Sequence, residues 1–161
     1  MGAVWKCYAI YPRPFWRTRG LSGIVASNEG FSRLVFDNSP SDGSRGILMG
    51  FVLADRAREF STLTEPERRQ SILQSFTKYF GEEASSPISY IEQGWTEEAW
   101  SRGCYTGIMG PHTMMSFGHL LRVPVGDIHF AGTETSTAWN GYMEGAVLSG
   151  ERTAHEVLES L

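Results

Sequence analysis

The chain has 161 residues, of which 41% are hydrophobic and 20% are charged, and its formal net charge is −4 at pH 7. These values are typical of a globular protein with its own core and exclude a disordered chain. The negative net charge and the lack of a cluster of lysine and arginine argue against nucleic-acid binding. The apolar stretches have the length of strands, so we expect no membrane segment and a soluble, cytoplasmic protein. Cys7 and Cys104 lie far apart and predict reduced thiols.

The first half of the chain has the pattern of a sheet. Five segments have the composition or alternation of strands, and they cover residues 3–11, 23–27, 33–37, 46–53 and 88–92. Pro12 and Pro14 end the first strand, and the turn at 28–30 joins the next two. The run at 46–53 is apolar throughout, which predicts a central strand buried on both faces.

A helix is predicted from residue 64 to residue 80. Thr64 and Glu67 have the spacing of a capping box, Pro66 stands in the first turn, and Gly81 follows the last turn. One face carries the apolar side chains of Ile72, Leu73, Phe76, Tyr79 and Phe80. The stretch 95–115 has no clear period and predicts irregular structure.

The segment 126–151 predicts a strand, a polar loop and a final helix. The apolar run at 128–131 ends at Gly132, and the helix is expected over 141–158. One face of this helix carries Met143, Ala146, Val147, Gly150, Ala154, Val157 and Leu158. Such an order places backbone N–H groups and the positive end of a helix at the loop.

The N-terminal segment MGAVWKCYAIYPRPFW carries a lysine, Lys6, in a strand that leads to an aromatic turn. A lysine in a strand more often points to solvent. This segment, however, resembles the active-site lysine strand of the flavin-dependent amine oxidases, the monoamine oxidase family. The resemblance implies that the Lys6 ammonium holds a water molecule beside the flavin ring.

The segment GWTEEAWSRGCYTGIMGP resembles the flavin-proximal loop of the same family. By this resemblance, Trp95 packs near the flavin and Tyr105 forms one wall of an aromatic cage. Cys104 matches the cysteine that some members join to the flavin as a thioether, although a lone cysteine is more often an inert buried thiol. The following residues, GIMGPHT, depart from the mammalian pattern and leave the amine substrate open.

The motifs AGTE and W-x-G-Y-M-E-G-A near the C-terminus resemble the family segment that contacts FAD. The residues implied to contact the cofactor are Gly132, Thr133, Glu134, Trp139, Gly141 and Met143. Tyr142 matches the second cage tyrosine. The helix N-terminus at Met143 is implied to stabilise negative charge on the reduced flavin by about 1 kcal/mol or more in a site that excludes water. In the middle of the chain, Phe51 is implied to line the substrate cavity and Leu34 to lie at its gate.

The chain contains no G-x-G-x-x-G fingerprint for binding a dinucleotide. In the family this fingerprint lies far upstream, in a chain several times longer. The resemblance therefore implies a truncated C-terminal portion that lacks the N-terminal Rossmann-like part. FAD binding would require the N-terminal FAD-binding half, in the same or a separate chain. The whole enzyme would oxidise a small amine to an imine and reduce oxygen to hydrogen peroxide.

The expected fold is α+β, with a mixed or antiparallel substrate-domain sheet and one packed helix in residues 1–93. Residues 94–161 are expected to form the flavin-contacting portion with the strand, loop and helix. The histidines lack the spacing of metal ligands, so no metal site is expected; they are His112, His119, His129 and His155.

A second interpretation is a non-catalytic module or subunit that needs a partner chain. The aromatic residues expected at the flavin would then be exposed and would favour self-association.

Overall fold

The computed structural model describes all residues from 1 to 161. The chain divides into two compact units. One unit comprises Gly2–Cys104 and contains the sheet, and the other comprises Tyr105–Leu161 together with Met1 and contains the last helix.

The first unit is built on a single antiparallel sheet of five strands, in agreement with the expected α+β fold. The strands are β1 (Val4–Tyr11), β2 (Val25–Ala26), β3 (Leu34–Asp37), β4 (Gly46–Leu53) and β5 (Ser89–Gly94). Their order across the sheet is β2-β3-β4-β1-β5, so β4 occupies the central position that its apolar sequence predicts.

One face of the sheet is covered by helices and the other is not. Along β1, Trp5 and Cys7 on the covered face are buried, whereas Lys6 and Tyr8 on the other face are half-buried. The prediction that β4 is buried on both faces is therefore wrong, because Ile47, Met49 and Leu53 are half-buried. A continuous apolar run cannot tell which of two faces receives the helices.

Three helices belong to this unit: α1 (Phe15–Thr18), α2 (Asp55–Phe60) and α3 (Glu65–Phe80). The capping box of α3 is confirmed, since the Thr64 N–H donates to the Glu67 carboxylate at 2.8 Å. Gly81 ends the helix with a φ of 89°. The predicted apolar face packs on the sheet through Ile72, Phe76 and Phe80, and each such buried side chain stabilises the fold by about 1.5–3 kcal/mol.

The second unit contains the short helix α4 (Thr113–Phe117) and the long helix α5 (Met143–Ser160). The strand predicted at 128–131 is wrong, because the only pairing nearby is an isolated bridge between Val125 and Ile128. Side chains of α5 bond this stretch instead. The Phe130 carbonyl accepts hydrogen bonds from Arg152 at 2.7 Å and from Thr153 at 3.1 Å.

The apolar face of α5 points to solvent. Met143 is 88% exposed and Leu158 is 68% exposed, whereas the small residues Gly145 and Ser149 on the opposite face are buried. Polar side chains of α5 pack on the preceding loop, so the apolar stripe has no partner within this unit. A stripe of this kind is typical of an interaction surface. No helix of the structure combines the length and the apolar composition needed to cross a bilayer.

Candidate functional site

The sheet register brings three of the predicted site residues into one cross-strand row. Lys6 of β1 lies opposite Phe51 of β4, and Phe51 lies opposite Leu34 of β3. Directly opposed residues of antiparallel strands project from the same face. Lys6, Phe51 and Leu34 therefore share the face that the helices leave uncovered.

The Lys6 ammonium lies close to two aromatic rings. Its Nζ is 5.7 Å from the centre of the Phe51 ring and 5.4 Å from the centre of the Trp95 ring. Both distances are within the range of a cation–π interaction. Trp95 follows β5 directly, and its backbone N–H donates to the Val4 carbonyl at 3.0 Å. The strands thus hold Lys6 and Trp95 together although they are distant in sequence.

The two cysteines have different surroundings. Cys7 is fully buried under the helices, and burial raises the pKa of its thiol to about 12. Cys104 is half-buried, and its backbone N–H donates to the Gly2 carbonyl at 3.0 Å. Burial also raises the pKa of the Cys104 thiol, and the positive charge of Lys6 opposes that rise. Cys104 is therefore electrostatically coupled to the predicted catalytic lysine.

In the second unit, Thr133 organises the loop that leads into α5. Its hydroxyl accepts a hydrogen bond from the Gly141 N–H at 2.7 Å and donates one to the Tyr142 carbonyl at 2.8 Å. Gly141 has a φ of 85°, a conformation that glycine adopts without strain. Beside this loop, Gly132 donates its N–H to Ser149 and the Glu134 carboxylate accepts the Gly107 N–H.

The start of α5 is open and aromatic. Tyr142 is the N-cap residue, and no side chain caps the first turn, so its N–H groups are available to an acceptor. The rings of Trp139 and Tyr142 meet edge to face with their centres 6.0 Å apart, and both are more than half exposed. Tyr105, the other predicted cage residue, is also exposed.

The structure adds two residues that the sequence did not single out. Gly145 lies so close to the Trp139 carbonyl that a methyl group added at this glycine would approach the carbonyl oxygen to 2.2 Å. Gln93 lies opposite Lys6 on β5, and its amide donates to the Glu98 carboxylate at 2.7 Å. The motif around Gly145 was visible in the sequence, but the close approach and the strand register depend on the folded chain. No group of three potential metal ligands is present.

Comparison with known proteins identifies the family. The family model described as flavin containing amine oxidoreductase matches residues 1–158. The chain belongs to this family.

Individual relatives agree with this assignment. The chain is 43% identical over 164 aligned residues to the flavin-containing amine oxidase B of Canis lupus familiaris, with 100% of this chain and 32% of the relative covered. A solved structure of a putrescine oxidase triple mutant, made in a redesign of cofactor binding, has a TM-score of 0.94 at 36% identity and covers 100% of this chain and 36% of that one. The cyclohexylamine oxidase from Brevibacterium oxydans has a TM-score of 0.93 at 35% identity, with 99% and 36% covered. The chain therefore spans about a third of the length of these relatives.

Proposed function

We propose that this chain is the C-terminal portion of an FAD-dependent amine oxidase that oxidises an amine to an imine and reduces oxygen to hydrogen peroxide. The observation that carries the proposal is the position of the Lys6 ammonium, between the Phe51 and Trp95 rings and electrostatically coupled to Cys104. This position brings a positive charge, two aromatic rings and a thiol close together, and these are groups that a flat aromatic ligand can contact.

The residues fit a flavin. The indole N–H of Trp95 is buried without a hydrogen-bond partner, and such an orphaned donor is stabilised by a ligand that supplies an acceptor. The uncapped N–H groups at Met143 suit the electron-rich edge of a flavin ring. When bound, FAD supplies the redox chemistry, taking a hydride equivalent from the amine and passing the electrons to oxygen.

The remaining roles belong to side chains of this chain. Lys6 holds a water molecule near the reacting atoms and orients it. Tyr105 and Tyr142 flank the neutral amine with their ring faces, and Phe51 and Leu34 form the wall and gate of the substrate cavity. The other cofactor contacts are Gly132, Thr133, Glu134, Trp139 and Gly141. Residues 1–93 then form the substrate portion and residues 94–161 the flavin-contacting portion.

Binding of the ADP half of FAD needs the N-terminal FAD-binding part of the complete enzyme. Covalent attachment through the Cys104 thiol, as a thioether, is part of the proposal. After acid denaturation of the complete enzyme, yellow colour should stay with the protein. It should be lost in Cys104→Ser and kept in Cys7→Ala, since Cys7 lies under the helices. Colour that leaves the wild-type protein on denaturation would overturn attachment and leave the oxidase proposal intact.

The oxidase itself is tested by purifying the complete enzyme and measuring its absorbance spectrum and its peroxide production with a panel of small amines. We expect a flavin spectrum that bleaches when an amine is added without oxygen. A colourless protein that produces no peroxide with any amine would contradict the proposal.

The second candidate is a non-catalytic module that pairs with another chain or with itself. The exposed apolar stripe of α5 and the exposed rings of Trp139 and Tyr142 favour it. It predicts a stable complex without flavin. A flavin spectrum in the purified protein separates the two candidates.

A further inference from the structure

An apolar cavity of about 260 Å³ lies at the far end of the cross-strand row that begins at Lys6. Its apolar walls are Phe31, Leu34, Phe51 and Leu53. Phe51 connects the cavity to Lys6, because it lines the cavity and its ring also contacts the Lys6 ammonium. The cavity thus adjoins the proposed reaction site through a single buried aromatic side chain.

Two arginines, Arg33 and Arg56, are also among the residues that line this cavity, and no aspartate or glutamate is among them. Arg33 is half-buried and its Nε donates to the Gly30 carbonyl at 3.4 Å, so this contact leaves its charge uncompensated. Arg56 pairs with Glu59 at 2.9 Å, but both side chains are about half exposed and the pair is weak. Guanidinium groups stay charged at every physiological pH and bind carboxylates with paired hydrogen bonds.

We propose that this cavity receives the far end of the substrate, and that Arg33 and Arg56 select amines whose far end carries a carboxylate over amines whose far end carries a second ammonium. The inference rests on the proposed function, which puts the reacting amine beside Lys6. From β1 to β3 the sheet spans two strand spacings, about 10 Å. An ω-amino acid with a chain of about eight carbons matches that span.

The test compares octylamine, diaminooctane and ω-aminooctanoate as substrates of the complete enzyme. We expect kcat/KM for ω-aminooctanoate to exceed that for diaminooctane about tenfold, which corresponds to about 1.4 kcal/mol. In the double variant Arg33→Gln/Arg56→Gln, kcat/KM for ω-aminooctanoate should become about equal to kcat/KM for diaminooctane. The charge-conserving double variant Arg33→Lys/Arg56→Lys should keep most of the preference.

Arg58→Gln is the matched control, because Arg58 also lies on α2 but pairs with the exposed Asp55 and does not line the cavity. This variant should keep the wild-type ratio of kcat/KM for ω-aminooctanoate to kcat/KM for diaminooctane. Melting temperature and flavin content show whether each variant folds.

A second measurement does not depend on turnover. Calorimetric titration with octanoate should detect binding to the wild-type enzyme, weakened about tenfold in the Arg33→Gln/Arg56→Gln variant. The inference would be overturned if the double variant bound octanoate as tightly as the wild type, or if the wild type oxidised diaminooctane and ω-aminooctanoate with equal kcat/KM. Either result would leave the oxidase proposal intact. Arginine-dependent octanoate binding in a protein that oxidises no amine would instead support the carboxylate site and overturn the oxidase.

Discussion

The ammonium of Lys6, which belongs to β1, lies 5.4 Å from the centre of the Trp95 ring. Trp95 is the first residue after β5, the strand that pairs with β1. The antiparallel pairing of these strands fixes the approach, since Trp5 lies opposite Gly94, the neighbour of Trp95 in sequence. The half-buried ammonium is therefore held in place by a rigid sheet rather than by a loop. That rigidity is what a residue needs to orient a water molecule near a reacting atom.

Replacing Lys6 by methionine should slow flavin reduction or reoxidation in the complete enzyme by about a hundredfold while FAD stays bound. Methionine keeps an unbranched side chain that is one atom shorter and removes the ammonium that orients water. Stopped-flow absorbance measures both half-reactions. The control is Lys78→Met, because Lys78 is exposed and pairs with Glu29 at the surface. Wild-type rates in Lys6→Met would remove Lys6 from the mechanism.

Replacing Tyr142 by alanine should raise KM and lower turnover for small amines, reducing kcat/KM about tenfold, as expected for the loss of an aromatic face worth about 1.4 kcal/mol. The backbone carbonyl that bonds Thr133 remains in this variant, so the loop is preserved. Tyr142→Phe keeps the ring and should stay near wild type. Steady-state kinetics with small amines measure KM and turnover for both variants. Unchanged KM and turnover in Tyr142→Ala would refute the assignment of Tyr142 to the aromatic cage.

Two glycines of α5 should respond to alanine in opposite directions. At Gly145 the added methyl group would come within 2.2 Å of the Trp139 carbonyl and 2.9 Å of the Thr133 hydroxyl, so Gly145→Ala should destabilise the enzyme by about 1–3 kcal/mol. At Gly150 nothing lies within 4 Å, and Gly150→Ala should stabilise the helix by about 0.5–1 kcal/mol. Thermal unfolding, followed by flavin release, measures both. Equal shifts of the two melting temperatures would argue against the packing at Gly145.

Acid should weaken the first unit through Asp37. Burial acts to raise the pKa of this carboxyl, but hydrogen bonds from Arg17, Ser39 and Trp16 outweigh it and lower the pKa to about 2. Because the pKa is lower in the folded state, the stabilisation is present above the unfolded value of 3.8 and is lost as the pH falls towards 2. The shift corresponds to about 2 kcal/mol.

Asp37→Asn should therefore lower the free energy of unfolding by about 2 kcal/mol at neutral pH and flatten its decline between about pH 4 and pH 2. Urea unfolding at a series of pH values measures this. Asp55→Asn serves as the control, because the Asp55 side chain is 97% exposed and its loss should cost little. If the free energy of unfolding of Asp37→Asn declined with falling pH as it does in the wild type, Asp37 would not be the source of the acid sensitivity.

Local sequence was enough to predict the elements whose signals lie within a few residues. Helix α3 is an example, since its capping box, apolar period and terminal glycine all act within one or two turns. The motifs carrying Lys6, Cys104 and Tyr142 likewise identify the family from sequence. The prediction that these three places surround one flavin ring stays a prediction, as does the boundary at residue 93.

Contacts between distant segments depended on the tertiary structure. The sequence alone determined the strand at 46–53 and the apolar stripe of α5, but only the folded chain decided that one face of β4 is open and that the stripe points to solvent. It likewise decided that residues 128–131 bond to α5 side chains instead of forming a strand, and that Arg33 and Arg56 line one cavity. The physical reason is that helix capping and periodicity are local, whereas strand pairing, face burial and charge clustering require partners far away in the chain.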